Sequence, residues 1–136
     1  MRYVILFCFL LCSSPSFAME WQCEARSGFK RIGTNKSFVD IPTQRIGNLN
    51  FRIEGIMLAA SNPNSDQIPI LAYWQGASDH TRIYSSVSGG DTIIETYLLN
   101  GKNSCLNVNC SAFLSVTSSQ PNGWLENRIY DCKRVY

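Results

Sequence analysis

Ser78-Asp79-His80 is the one place in the chain where a hydroxyl, a carboxylate and an imidazole coincide, and His80 is the sole histidine. A hydrolytic triad needs those three groups converging in space, with the base bonded to the nucleophile. Side chains adjacent in sequence diverge instead, and no G-x-S-x-G elbow accompanies these. The segment therefore reads as a polar turn between two strands, and a small hydrolase using His80 is only the third functional reading. The ten carboxylates are scattered along the chain. A glycosidase sets two of them across a cleft. Glu54 and Glu95 both fall in strand-like segments and are the pair that could meet, although each also fits the outward, solvated position of an ordinary strand charge. There is no phosphate-binding loop, dinucleotide fingerprint, H-E-x-x-H or EF-hand loop. No catalytic residue and no cofactor is assigned.

Binding chemistry is better represented. Tyr73 and Trp74 are adjacent, so on a strand they face opposite ways, and one of them is exposed if the other enters the core. Exposed Tyr and Trp are favoured anchors for partners. Arg26, Lys30, Arg31 and Lys36 bracket one segment and form a local basic cluster, read either as a solvated loop or as a contact for an acidic partner. Asn35-Lys36-Ser37 and Asn109-Cys110-Ser111 match the N-glycosylation pattern, which has meaning only in a eukaryotic source.

Six cysteines divide into two groups. Cys8 and Cys12 lie in a leader-like segment: Arg2, the apolar run Tyr3 to Leu11, then Ser13-Ser14-Pro15-Ser16-Phe17-Ala18. The run is too short to span a bilayer, and small residues at Ser16 and Ala18 suit a signal peptidase, so cleavage is expected after Ala18. Leu11 is too bulky for a lipobox ending at Cys12. Taking 18 residues from 136 leaves a single domain of 118, residues 19–136, in which 11 basic side chains face 10 acidic ones. Cys23, Cys105, Cys110 and Cys132 remain, an even count that reads as two disulfides in an oxidising compartment. Cys23–Cys132 with Cys105–Cys110 is the expected pattern, and the other two connectivities stay open. A local Cys105–Cys110 bridge requires a tight turn at 106–109, because residues five apart on a straight strand are too distant. Zinc is disfavoured, since only one local cysteine pair exists and it has four intervening residues.

The elements that must carry these residues are mostly strands. Trp21, Cys23 and Ala25 alternate with polar neighbours, and so do Leu49, Phe51 and Ile53. Ser27-Gly28 begins a turn, Ser37 to Ile41 is a short strand that Pro42 ends or puts at an edge, and Ile56 to Ala60 either continues the preceding strand beyond a bulge at Gly55 or forms one helical turn. Ser61 to Asp66 is a loop, followed by the strand Ile68 to Trp74. Thr81 to Val87, a turn at Ser88-Gly89-Gly90-Asp91, and Thr92 to Leu99 form a hairpin, and Asn100-Gly101 signals another. Ser104 to Val116 and Trp124 to Val135 complete the chain. Seven to eight short strands with frequent turns and no helical periodicity predict an all-β, antiparallel sandwich or small barrel, braced by disulfides.

A charged fraction of 16% and a net charge of +2 do not suit an electrostatic nucleic-acid binder, and no stretch of the mature chain is apolar enough for a transmembrane helix. The leading expectation is an exported, periplasmic or secreted, non-enzymatic module that binds another protein, as an inhibitor, an immunity-type protein or an accessory to envelope assembly. Binding of a small apolar ligand or a glycan is the alternative.

Overall fold

The computed structural model describes residues 18–31, 37–78, 81–88, 93–101 and 110–136. The strands are β1 (Met19–Arg31), β2 (Val39–Asp40), β3 (Leu49–Glu54), β4 (Met57–Ser61), β5 (Ile70–Ala77), β6 (Thr81–Ser88), β7 (Ile93–Gly101), β8 (Ser111–Ser119) and β9 (Leu125–Arg134), with one short helix, α1 (Thr43–Ile46). They form one antiparallel sheet in the order β2-β1-β3-β4-β5-β6-β7-β8-β9, which closes through a β1–β9 pairing. Eight strands thus make a barrel, and β2 is an extra. Closure removes the free edges that an open sheet would present to other chains.

The long β1 organises the closure. One of its edges pairs with β9 from Trp21 to Arg31, while the other takes β3 at Met19–Cys23 and β2 at Phe29–Lys30. The helix α1 occupies the chain between β2 and β3. Cys23 and Cys132 are register partners across the β1–β9 seam and form a disulfide, with Cα atoms 4.1 Å apart and 109 positions between them in sequence. This is the expected long-range bridge. In the chain-entropy model, closing so long a loop is worth about 5 kcal/mol. Cys110 is half-buried against the core and is also disulfide-bonded. The expected Cys105–Cys110 pairing falls partly outside the described residues, because Cys105 does. So does the expected leader, up to residue 17.

Period-2 alternation sends one face of each strand into the barrel. Trp21, Phe51, Ile53, Leu58, Leu114 and Val116 are buried there together with three tyrosines, Tyr84, Tyr97 and Tyr130. Trp21 stacks on Phe51 with ring centroids 5.7 Å apart. Bulky side chains therefore occupy the interior.

Three local expectations are corrected. Ser27-Gly28 does not turn. β1 runs through it with a bulge between Ala25 and Ser27, where the register to β9 shifts. The bulge accommodates an extra residue without ending the strand. Gly55 is no bulge, and Ile56 to Ala60 makes no helical turn but leads into β4. With φ +56 Gly55 begins a two-residue hairpin, Gly55-Ile56, that returns β4 along β3. Asn100-Gly101 is not a hairpin either, since Asn100 pairs with Phe113 and Gly101 with Ala112 inside the β7–β8 ladder.

Candidate interaction face

The residues singled out in the sequence fall on different parts of the barrel. Tyr73 points outward from β5 and is 51% exposed. Trp74 takes the opposite face, as adjacent strand residues must. It pairs with Tyr84, meets that ring edge-on at 5.7 Å, and remains 40% exposed. Arg26 reaches Asp131 at 3.3 Å and lies 5.1 Å from the centroid of Phe113. Lys30 stands across from Glu126 in the β1–β9 ladder, and Arg31 lies over the Phe38 ring at 5.7 Å. Lys36 lies outside the described residues. The basic residues are thus matched by acidic or aromatic neighbours. They are also separated from Tyr73 by β3 and β4, so the aromatic pair and the basic cluster do not form one surface.

Ser78 and Thr81 exchange backbone hydrogen bonds: the Ser78 N–H donates to the Thr81 carbonyl at 2.9 Å, and the Thr81 N–H donates back at 3.3 Å. These bonds join the end of β5 to the start of β6, and Asp79 and His80 lie outside the described residues. Both glycosylation asparagines, Asn35 and Asn109, also lie outside.

Glu54 and Glu95 do not meet. Glu54 is ion-paired with Arg52 on the outside, whereas Glu95 is only 8% exposed and points into the barrel. The Tyr97 hydroxyl donates to its Oε2 at 2.7 Å, and the Ser118 hydroxyl to its Oε1 at 3.0 Å. Arg128 Nη2 donates to the same Oε1 at 3.3 Å and to Ser118 Oγ at 2.9 Å. The reading of Glu95 as a solvated strand charge is therefore wrong. Its spacing of two from Tyr97 and four from Leu99, both inward, is the signal that places it inside. Burial, followed by the Glu95 charge and hydrogen bond, pushes the Tyr97 phenol well above its ordinary range. Burial also raises Tyr84 and Tyr130, against the opposing effects of Arg82 and Arg128 respectively. Ser86 faces Glu95 across the β6–β7 ladder, is buried, and has an Oγ without a hydrogen-bond partner among the described residues.

The most unusual surface is the outer wall of β4–β8. Its outward residues are Met57, Ala59 and Ser61 on β4, Leu71, Tyr73 and Gln75 on β5, and Ile83, Ser85 and Val87 on β6. On β7 they are Ile94, Thr96, Leu98 and Asn100, and on β8 Phe113, Ser115, Thr117 and Ser119. Among the described residues, none of these outward positions is Asp, Glu, Lys, Arg or His. The charged outward positions lie on the opposite wall: Glu20, Glu24 and Arg26 on β1, Arg52 and Glu54 on β3, Asp131 and Lys133 on β9, while Arg82 on β6 is exposed at an inward position across from Leu99. Tyr73, Leu71, Ile94 and Val87 stand exposed on the uncharged wall, Val87 at 69%. Five strands span about 19 Å along the wall at the usual ~4.8 Å spacing, the scale of one side of a specific protein interface. No single segment shows this segregation, because it arises only once the strands are in register and the barrel is closed.

Set against known proteins, the chain matches no family model, no curated protein and no solved structure.

Proposed function

We propose that the protein is an exported, non-enzymatic binding module that engages another protein through the outer wall of β4–β8, with Tyr73 as the anchor. The observation that carries this reading is the segregation of charge. Charged side chains are depleted at the cores of protein interfaces, where aromatic residues are enriched. The exposed apolar side chains on it, Leu71, Tyr73, Val87 and Ile94, also call for a covering surface. The bulky side chains buried inside the barrel add support, since they favour the outer wall over a lumen as the surface open to a partner. The Cys23–Cys132 disulfide fits an oxidising compartment, periplasmic or extracellular. In that setting an inhibitor, an immunity-type protein and an envelope-assembly accessory all act through a rigid preformed face.

The test is quantitative affinity capture from the matching cell extract with wild-type protein, Tyr73→Lys and Glu24→Lys. The reading expects one partner to be recovered by wild type and by the Glu24 variant and lost with Tyr73→Lys. The same partner recovered equally by all three would remove the uncharged wall from the account.

A further inference from the structure

A groove of about 920 Å³ lies over β7, β8, β9 and β1, with Tyr73 outside its lining. Two outer cross-strand rows build it. One runs Asn100–Phe113–Asp131–Glu24 across four neighbouring strands, and the other runs Ser111–Lys133–Gln22. Beneath them the buried Ala112 and Cys132 form the floor, and the Cys23–Cys132 disulfide ties the two strands that carry Glu24, Asp131 and Lys133. Its walls are thus set before any ligand arrives, which lowers the ordering cost of binding.

From this arrangement we infer a saccharide-binding site that meets the uncharged wall at Asn100 and Phe113 but does not include Tyr73. A pyranose ring is amphipathic: it carries a face of C–H groups and a rim of hydroxyls that both donate and accept. The groove has the complementary layout. Phe113 is 50% exposed and offers an aromatic surface, with Arg26 stationed over the ring and at the same time neutralising Asp131. Gln22, Asn100 and Ser111 supply groups that donate and accept. Glu24 and Lys133 add an acceptor and a donor whose side chains make no ion pair or hydrogen bond with any other described residue. The volume lies within the range of small-ligand sites, which are concave, largely apolar and fitted with a few placed polar groups.

The experiment is isothermal titration of the oxidised full-length protein with chitotriose and, separately, cellotriose, at millimolar concentrations. At least one trisaccharide should bind, and Phe113→Ala should weaken that binding by about tenfold or more. Glu24→Gln, which leaves the aromatic surface in place, should weaken it as well, and it carries the test alone if Phe113→Ala does not fold. Tyr73→Ala should leave sugar binding unchanged, so that failure of the protein-binding face and failure of this groove are read separately. No heat with either sugar overturns the inference, and so does binding that survives Phe113→Ala in a variant shown to be folded by its thermal transition.

Discussion

Glu95 and Ser86 stand opposite one another inside the barrel, yet their environments differ. Glu95 accepts from Tyr97, Ser118 and Arg128, while Ser86 Oγ has no hydrogen-bond partner among the described residues. Replacing a bonded buried acceptor strands its donors, whereas deleting an unbonded hydroxyl relieves a desolvated group. Glu95→Ala should therefore lower stability by about 2 kcal/mol or more, and Ser86→Ala should leave it unchanged or slightly raised, both read from urea unfolding midpoints. Three buried tyrosines, Tyr84, Tyr97 and Tyr130, retain their protons in the fold above the value near 10 that they have in the unfolded chain. Below that pH both states are protonated and the contribution to stability is complete. Above it the unfolded chain releases protons that the native state keeps, so stability falls as pH rises, by up to about 4 kcal/mol per unit if all three act together. A denaturation series from pH 8 to 12 measures this, and a flat profile would contradict the burial of the phenols. Glu95 itself was only partly legible in the sequence. Its register with Tyr97 and Leu99 indicates the inner face, but two of its three hydrogen-bonding partners, Ser118 and Arg128, come from strands more than twenty residues away.

At the scale of elements, α1 is held by a close approach that only glycine permits. A Cβ at Gly28 would stand 2.8 Å from Ile46 Cδ1 and 3.0 Å from the Asn127 carbonyl. The isoleucine tip can yield, but the backbone oxygen yields little. Gly28→Ala should therefore loosen α1 and cost about 1–3 kcal/mol, as overpacking does. Hydrogen exchange at residues 43–47 should rise relative to wild type. Unchanged exchange would mean that Ile46 moves aside without cost. The same glycine shows why the turn reading failed: in sequence Ser27-Gly28 looks like punctuation, and in the structure the glycine makes room for a neighbour inside a continuing strand. Asn100-Gly101 misleads in the same way, since its hairpin signal is overridden by ladder pairing to β8. By contrast, Trp21/Cys23/Ala25 and Leu49/Phe51/Ile53 were readable as strands, because each has one buried and one polar face. β5 was readable as a strand but not in its exposure, since Ile70, Leu71, Tyr73 and Trp74 are all partly open.

The whole molecule is a barrel closed at one seam, and the Cys23–Cys132 disulfide spans that seam. The pairing could be anticipated because first and last strands are often neighbours in closed folds. The division of the barrel into a charged and an uncharged wall could not, because it depends on the register of strands distant in sequence. Cys23→Ser/Cys132→Ser should lower stability by about 3–5 kcal/mol while leaving the strand signature in far-UV circular dichroism intact. Collapse of that signature would show that the core alone does not hold the barrel closed. The uncharged wall of β4–β8 is the feature on which the functional account rests. Its most direct test is quantitative capture of a partner by wild-type protein, by Tyr73→Lys on that wall and by Glu24→Lys on the other. The account expects the partner to disappear only with Tyr73→Lys. Equal recovery by all three proteins would contradict it.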